Sequence, residues 1–200
     1  MQDHHPTLWF SDDGYRVGTY NGHNGAVWTC DLTCKQRCRW LARTHVSRLY
    51  SQQSLPVQPL LMQLAGDSEK LITASADSSV KLWDVASGKD LFTFKSQEPC
   101  RAVAFSMGDR MAAYTTDQFM GQPSQIHLVN IADDLSEQNG DVIKSLSGPK
   151  GRITRIAWTD LNRTLISAGE DGFVRRWDVE VCFYICILYS STQYWDAQLC

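Results

Sequence analysis

Two stretches of the chain have nearly the same sequence, and this repetition restricts the fold more than any other feature. The first, TASADSSVKLWDV, covers residues 73–85, and the second, SAGEDGFVRRWDV, covers residues 167–179. Each reads as a short apolar strand, a turn that contains Asp, an alternating strand and a final Trp-Asp pair. A sequence that repeats at a fixed spacing indicates a fold built from similar units that pack on one another.

The segments around the two repeats also alternate like β-strands. Runs such as KDLFTFKS, RMAAYTTD and ITRIAWTD follow one another, and Gly, Asp and Ser stand at nearly every join. Many short strands with regular turns predict an all-β fold. The repeated part contains no run of ten residues with the apolar periodicity of a helix.

The spacing of the repeats then selects one architecture. Trp83 and Trp177 lie 94 positions apart, which is two units of 47, and Gly22-His23 precedes the first Trp-Asp. A unit of about 40–45 residues that begins near Gly-His and ends at Trp-Asp is typical of WD repeats. Each such unit forms a four-stranded blade of a β-propeller. We therefore predict a partial WD40 β-propeller of about three blades plus the end of another, with a non-repeat insert and a C-terminal tail.

The resemblance to WD repeats also implies a set of structural residues. In this family a His, a Ser or Thr, an Asp and the Trp form a buried hydrogen-bond chain within one blade. One complete set matches this pattern: His23, Thr73, Asp77 and Trp83. Two sets are partial: Ser167, Asp171 and Trp177, with Pro149 in place of His, and Asp3 with Trp9. The expected role of all these residues is to hold the blade together, not to catalyse a reaction.

Four regions follow from this pattern. Residues 1–32 hold the end of a first blade and the first strand of the second, and residues 66–180 hold the WD-repeat blades. Residues 33–65 separate His23 from Trp83 by about twice the usual distance, so we expect an insert that is poorly ordered. Residues 181–200 form a non-repeat apolar tail, in which residues 183–189 are expected to act as an outer strand or as a sticky end.

Several longer stretches resemble one WD-repeat family in particular. LWFSDDGYRVGTYNGHNGAVW, TTDQFMGQ and NIADD are similar to the seven-bladed subunit i of the eukaryotic translation initiation factor three complex. The resemblance implies a cytoplasmic scaffold that binds other subunits of the factor and, through them, the small ribosomal subunit. The alternative is a signalling adaptor of the same fold, such as a receptor-kinase-associated protein, which shares the GAVW stretch.

Other functional classes have little support in the sequence. No nucleophile elbow or phosphate-binding loop is present, so we expect no enzyme and no cofactor. Cys30, Cys34, Cys38 and His45 have no clean second pair, which argues against zinc. The insert combines positive charge with an aromatic ring, as proteins that bind single-stranded RNA do, at Arg37, Arg39, Trp40, Arg43 and Arg48. The net charge of the chain is −3, however, so direct RNA binding is not expected. The longest apolar run has nine residues and is too short to span a membrane as a helix.

Overall fold

The structure, a computed structural model, describes residues 4–10, 13–33, 69–181 and 184–188. Within these residues the regular structure is almost entirely β. The strands are β1 (Thr7–Trp9), β2 (Arg16–Thr19), β3 (Val27–Leu32), β4 (Lys70–Ser75), β5 (Ser79–Asp84), β6 (Asp90–Lys95), β7 (Cys100–Phe105), β8 (Met111–Thr116), β9 (Gln125–Asn130), β10 (Val142–Ser147), β11 (Ile153–Thr159), β12 (Thr164–Gly169), β13 (Phe173–Asp178) and β14 (Tyr184–Leu188). Short 3-10 helices at Leu135–Glu137 and Asp160–Asn162 follow β9 and β11.

Each strand pairs with its neighbour in sequence, and every pairing is antiparallel. Strands β1 and β2 form a two-stranded pair, β3–β6 form sheet I, β7–β10 form sheet II, and β11–β14 form sheet III. Three four-stranded sheets preceded by half of another are the arrangement of a partial propeller. The predicted all-β fold with about three blades plus the end of another is therefore confirmed.

The core lies between the faces of successive sheets. Ile72, Ala74, Val80 and Leu82 of sheet I are fully buried against apolar residues of β7, β8 and β9. The opposite face of sheet II packs in the same way on Leu165 and Trp177 of sheet III, and the β1–β2 pair packs on Leu71 and Trp83 of sheet I. Successive side chains of a strand point to opposite faces of its sheet, so a sheet that is covered on both sides buries consecutive residues, as in β4 and β8.

Side chains on the inner strands also link one sheet to the next. The Thr29 hydroxyl donates to the backbone oxygen of Arg101 at 2.6 Å, and the backbone N–H of Phe105 donates to Asp31 Oδ2 at 2.8 Å. These bonds join β3 to β7. Between sheets II and III, the Trp158 indole donates to the backbone oxygen of Ala104 at 3.1 Å. The inner strands are thus held together by polar as well as apolar contacts.

The end of sheet III contains a strand that lies outside the repeat pattern. Tyr184–Leu188 pairs with Phe173–Asp178 as the fourth strand, in a register that aligns Tyr184 with Trp177. Of the two alternatives for this part of the tail, the structure shows the outer strand. The rest of the tail, from residue 189, lies outside the described residues.

The predicted insert falls mostly on residues 34–68, which lie outside the described residues. The residues on either side of them bond to one another. Thr33 is buried and its N–H donates to the Lys70 backbone oxygen at 2.9 Å. The Thr33 hydroxyl also accepts bonds from the backbone N–H groups of Glu69 and Lys70, at 3.1 and 2.9 Å. The two ends of the segment are therefore anchored side by side.

Replacing residues 34–68 by a short turn is expected to leave the fold intact. Shortening the loop from about 35 to about 4 residues removes three doublings in length, so the free energy of unfolding should rise by up to ~2 kcal/mol. Urea denaturation, with the far-ultraviolet circular dichroism spectrum as a check on the sheets, measures the change. Loss of cooperative unfolding in the shortened chain would show that the segment belongs to the core.

Candidate functional site

The four residues of the complete predicted set lie together in sheet I. His23 Nδ1 lies 2.9 Å from Asp77 Oδ2, and His23 Nε2 lies 2.7 Å from the Thr73 hydroxyl. The Trp83 indole N–H donates to the same hydroxyl at 2.8 Å. Trp83 and Thr73 are fully buried, and His23 is 4% exposed. The four side chains form one continuous hydrogen-bond chain that joins β4, β5 and the turn before β3.

Local sequence places each member of this chain. Gly25 stands where a Cβ atom would lie only 2.7 Å from the backbone nitrogen of Asp77, so a larger residue would push the two turns apart. The β4–β5 turn that carries Asp77 passes through Ser78 at a φ of 63°. The Ser79 hydroxyl then donates to Asp77 Oδ1 at 2.6 Å, a contact that the sequence analysis did not include.

The protonation state of this cluster follows from its surroundings. Burial favours the neutral form of Asp77, but hydrogen bonds from Ser79, His23 and Asn24 outweigh it and lower the pKa of the carboxyl to about 2. Burial also lowers the pKa of His23, in spite of the carboxylate beside it. His23 is therefore neutral at pH 7. Because a carboxylate can only accept, Nδ1 carries the proton, and Nε2 accepts from the Thr73 hydroxyl.

This assignment predicts a loss of stability on acidification. The folded state holds His23 neutral, whereas the unfolded chain takes up a proton near pH 6.5, so stability is fully present above that pH and falls as the pH drops below it. The pKa of His127 is lowered by burial in the same way. Urea midpoints between pH 7.5 and pH 5 should fall for the wild type. The slope should be smaller in His23→Gln, and an unchanged slope would contradict the neutral assignment. His127→Gln gives the contribution of the second histidine.

Sheet III contains the expected Ser, Asp and Trp but uses a different partner for Asp. The Trp177 indole donates to the Ser167 hydroxyl at 2.8 Å, as in sheet I. Asp171 has no histidine partner, because Pro149 stands at the position that His23 has in sheet I. It pairs instead with Arg175, whose Nη2 lies 2.7 Å from Asp171 Oδ2. Burial opposes ionisation of Asp171, but the Arg175 pair and the backbone N–H groups of Phe173 and Lys150 together outweigh it and lower the pKa of the carboxyl. Arg175 is 5% exposed and is a site residue that the sequence analysis missed.

A signal for Arg175 was present in the repeat itself. Arg175 stands at the position of Lys81 in sheet I, because Ser167 pairs with Arg175 as Thr73 pairs with Lys81. In sheet I the partner of Asp77 is His23, and Lys81 bonds instead to Asp90 and Thr93. A Lys or Arg at this position, in a repeat that lacks the histidine, indicates that its side chain pairs with the aspartate of the same sheet.

The middle sheet has no such chain, and its aspartate occupies a different position. Val129 replaces the tryptophan and is fully buried. Asp117 lies twelve positions before Val129, whereas Asp77 lies six before Trp83, and the backbone shows that Asp117 is not the counterpart of Asp77. The N–H of Asp117 donates to the Pro99 oxygen just as the N–H of Ala76 donates to the Ala26 oxygen. Asp117 thus stands one residue earlier, and it forms a bidentate pair with Arg101 at 2.6–3.1 Å.

The set predicted for the first blade is only half described. Asp3 lies outside the described residues. Trp9 is at the end of β1 and 56% of its surface is exposed, in contrast to the buried Trp83 and Trp177. The structure therefore places Trp9 at the surface of the β1–β2 pair.

The aspartate of each Trp-Asp pair has a separate local role. Asp84 Oδ2 accepts the backbone N–H of Ser87 at 2.8 Å, and Asp178 Oδ1 accepts that of Glu180 at 2.9 Å. Both bonds close the turn after the third strand of the sheet. They lie outside the buried chain, which uses Asp77 and Asp171.

A concave surface lies along the inner strands. It has a volume of about 600 Å³ and is lined by β3, β7 and β11, including Trp28, Cys30, Arg155 and Trp158. The described residues hold no group of three His, Cys, Asp or Glu side chains placed to bind a metal ion. Cys30 is exposed, and Cys34, Cys38 and His45 lie outside the described residues. In the parts of the chain that the structure covers, no helix is long and apolar enough to cross a membrane.

One loop presents apolar side chains to solvent. The hairpin after β8 closes with paired bonds between Phe119 and Gln122, and the backbone N–H of Gln122 donates to Phe119 at 2.9 Å. Met120 and Gly121 both have positive φ, 45° and 85°, as in a type I′ turn. Met120 is 88% exposed and Phe119 is 45% exposed. The loop is a tightly closed turn with an apolar tip.

Comparisons with known proteins agree with these features. A family model described as "WD domain, G-beta repeat" matches residues 62–84 and 140–178, the stretches that hold Trp83 and Trp177. Eukaryotic translation initiation factor 3 subunit I of Culex quinquefasciatus is 31% identical over 182 residues, which cover 89% of this chain and 46% of that protein. Two segments of the chain thus match WD repeats, and the chain is similar to eukaryotic translation initiation factor 3 subunit I over 89% of its length.

Other relatives give the same result. The same subunit of Drosophila willistoni is 32% identical over 181 residues, which are 89% of this chain and 46% of that protein. The subunit of Drosophila melanogaster is 29% identical over 181 residues, or 89% of this chain and 45% of that protein. The chain thus spans about half the length of the curated relatives it matches.

Proposed function

We propose that this chain is a non-enzymatic scaffold subunit of the eukaryotic translation initiation factor 3 complex. In this role it binds other subunits in the cytoplasm and, through them, supports assembly of the preinitiation complex on the small ribosomal subunit. The observation that carries the proposal is the similarity to subunit I over 89% of the chain. No cofactor and no direct contact with RNA or membrane are part of this role.

The geometry supports protein binding over catalysis. The polar clusters of sheets I and III are turned into the sheets, where His23, Asp77 and Arg175 bond to other side chains of the same sheet. Such groups stabilise the sheets and hold them in place. Stacked β-sheets with closed turns offer rigid faces and edges to partner segments.

Co-purification tests the proposal. The tagged full chain, expressed in cells of its source, should retain subunits of initiation factor 3, and these should be identified by mass spectrometry. Asp84→Ala is the matched control, because it changes a surface turn and leaves the buried chain intact. Recovery of receptor kinases without initiation-factor subunits would favour the signalling adaptor and overturn the proposal.

The Phe119–Met120 tip gives a sharper form of the same experiment. Met120→Asn removes an exposed apolar side chain and places Asn in a type I′ turn, where Asn is favoured, so folding should be unaffected. If the tip contacts a partner subunit, this variant should lose that subunit while it retains the wild-type melting midpoint. Full retention of every subunit would place the contact elsewhere on the molecule.

A further inference from the structure

The outer edge of sheet II is formed by β10 (Val142–Ser147). Sheets I and III cover the two faces of sheet II, so this edge points away from both neighbouring sheets. An edge strand presents backbone N–H and C=O groups with which a further strand can pair. At β10, therefore, a segment of another protein can join the sheet.

The register of sheet II shows which backbone groups of β10 face outward. The Ile131 N–H donates to the Arg110 oxygen, so the backbone groups of every second residue of β9, including His127, face β8. Ser145 pairs with His127, so its N–H and C=O point away from β9, and those of Ser147 point the same way. Within the part of the chain that the structure describes, no backbone hydrogen bond reaches these groups.

The exposed side chains of β10 differ from those of β6, the outer strand of sheet I. In β6 the exposed residues are Asp90 and Lys95, and charges on an edge strand discourage pairing with other chains. In β10 Val142 is 41% exposed and Ile143 is 46% exposed. An irregularity in the β9–β10 ladder between Val142 and Lys144 brings these two successive apolar side chains to the surface.

The one charged residue of β10 does not protect the edge. The ammonium group of Lys144 donates to the backbone oxygens of Val179 and Glu180, at 2.7 and 2.8 Å. These two oxygens belong to the turn after β13, so the side chain of Lys144 is held against sheet III. The exposed surface of β10 therefore consists of apolar side chains and serines.

The two ends of this edge carry opposite charges. The loop of residues 131–141, which leads into β10, contains no Lys or Arg and has four exposed carboxylates: Asp133, Asp134, Glu137 and Asp141. At the other end, the exposed Lys150 borders a concave surface of about 460 Å³ that begins beside the last residue of β10. Complementary charges select a partner and its orientation, so the acidic loop favours a segment with a basic end.

We propose that an extended segment of a partner protein joins sheet II as a fifth strand beside β10. The segment has apolar residues that pack on Val142 and Ile143, and it has Lys or Arg at the end beside the acidic loop. Antiparallel pairing, as in the rest of the sheet, makes this the C-terminal end of the segment. Backbone bonds to Ser145 and Ser147 provide affinity, and the side chains provide specificity. This surface does not depend on which complex the chain joins.

Fluorescence polarisation of labelled synthetic peptides with the full chain tests the proposal. The probe is a peptide of about six alternating valine and threonine residues that ends in a pair of C-terminal arginines. One control peptide has glutamates in place of the arginines, and a second has N-methylated backbone amides. The probe should bind the wild type about tenfold or more tightly than either control, because the first loses the charge complementarity and the second loses the backbone donors.

Variants of the chain locate the binding surface. Ser145→Pro removes an outward N–H at a position where an edge strand tolerates proline, and Ile143→Lys places a charge on the apolar part. Each should weaken binding of the probe about tenfold or more, and Asp133→Lys should weaken it through charge. Leu161→Lys and Glu170→Lys make the matching exchanges at exposed positions outside the edge and should leave the affinity unchanged.

Melting midpoints show that each variant is folded, and Ile143→Lys serves if Ser145→Pro is not. Three results would overturn the proposal: no binding of the probe up to millimolar concentration, equal binding of the glutamate peptide, or wild-type affinity in a folded Ser145→Pro or Ile143→Lys variant. A chain that lacks residues 34–68 is tested in parallel. Binding of the probe by this shortened chain but not by the full chain would assign the edge to the chain's own segment, and would overturn the assignment to a partner.

Discussion

Trp83→Ala is expected to lower the free energy of unfolding by about 3–5 kcal/mol, the range for truncation of a large buried aromatic side chain. Trp83 is fully buried, packs against Tyr20 and Leu71, and donates its indole N–H to Thr73. The variant loses the packing and the hydrogen bond together. Because small domains are stable by only about 5–15 kcal/mol, this loss would remove a large part of the total stability.

Urea denaturation followed by circular dichroism measures this loss. Met120→Ala is the control, since it also shortens a large apolar side chain but at a position that is 88% exposed. Its free energy of unfolding should lie within about 0.5 kcal/mol of the wild type. Similar losses for Trp83→Ala and Met120→Ala would show that sheet I is not packed as described.

Asp77→Ala is expected to cost about 1–3 kcal/mol, because it leaves buried donors without an acceptor. The lost acceptor serves His23 Nδ1, the Ser79 hydroxyl and the backbone N–H of Asn24. Asp84→Ala, at the far end of β5, removes a bond at the surface and should cost less. Thermal and urea unfolding of both variants give the comparison. Equal losses would mean that the buried chain contributes no more than an ordinary turn.

The interior of each repeat could be predicted from the sequence because its parts are close together in the chain. Thr73, Asp77 and Trp83 fall within eleven positions, and two adjacent strands with a tight turn leave little freedom in how these side chains meet. His23 lies 50 residues earlier than Thr73, yet the Gly-His pair identified it. The structure brings all four together in the predicted sheet.

The remaining features depend on distances that a pattern does not contain. The position of Asp117 in its sheet does not follow from the sequence, because the count from Val129 crosses a long hairpin loop and the backbone ladder alone defines the register. Arg175 was missed because a charged residue in an alternating strand normally faces solvent, and only the absent histidine makes room for it. Contacts between sheets, such as that of Asp31 with the backbone of Phe105, join residues 74 positions apart and leave no local signal.

The central claim is that each well-formed WD sequence closes a buried hydrogen-bond chain that ends on its tryptophan. Hydrogen exchange of the indole N–H groups, followed by NMR and assigned with Trp→Phe variants, tests this claim most directly. The indoles of Trp83 and Trp177 should exchange only when the protein unfolds, and that of the exposed Trp9 should exchange rapidly. Rapid exchange of Trp83 or Trp177 under native conditions would contradict the account.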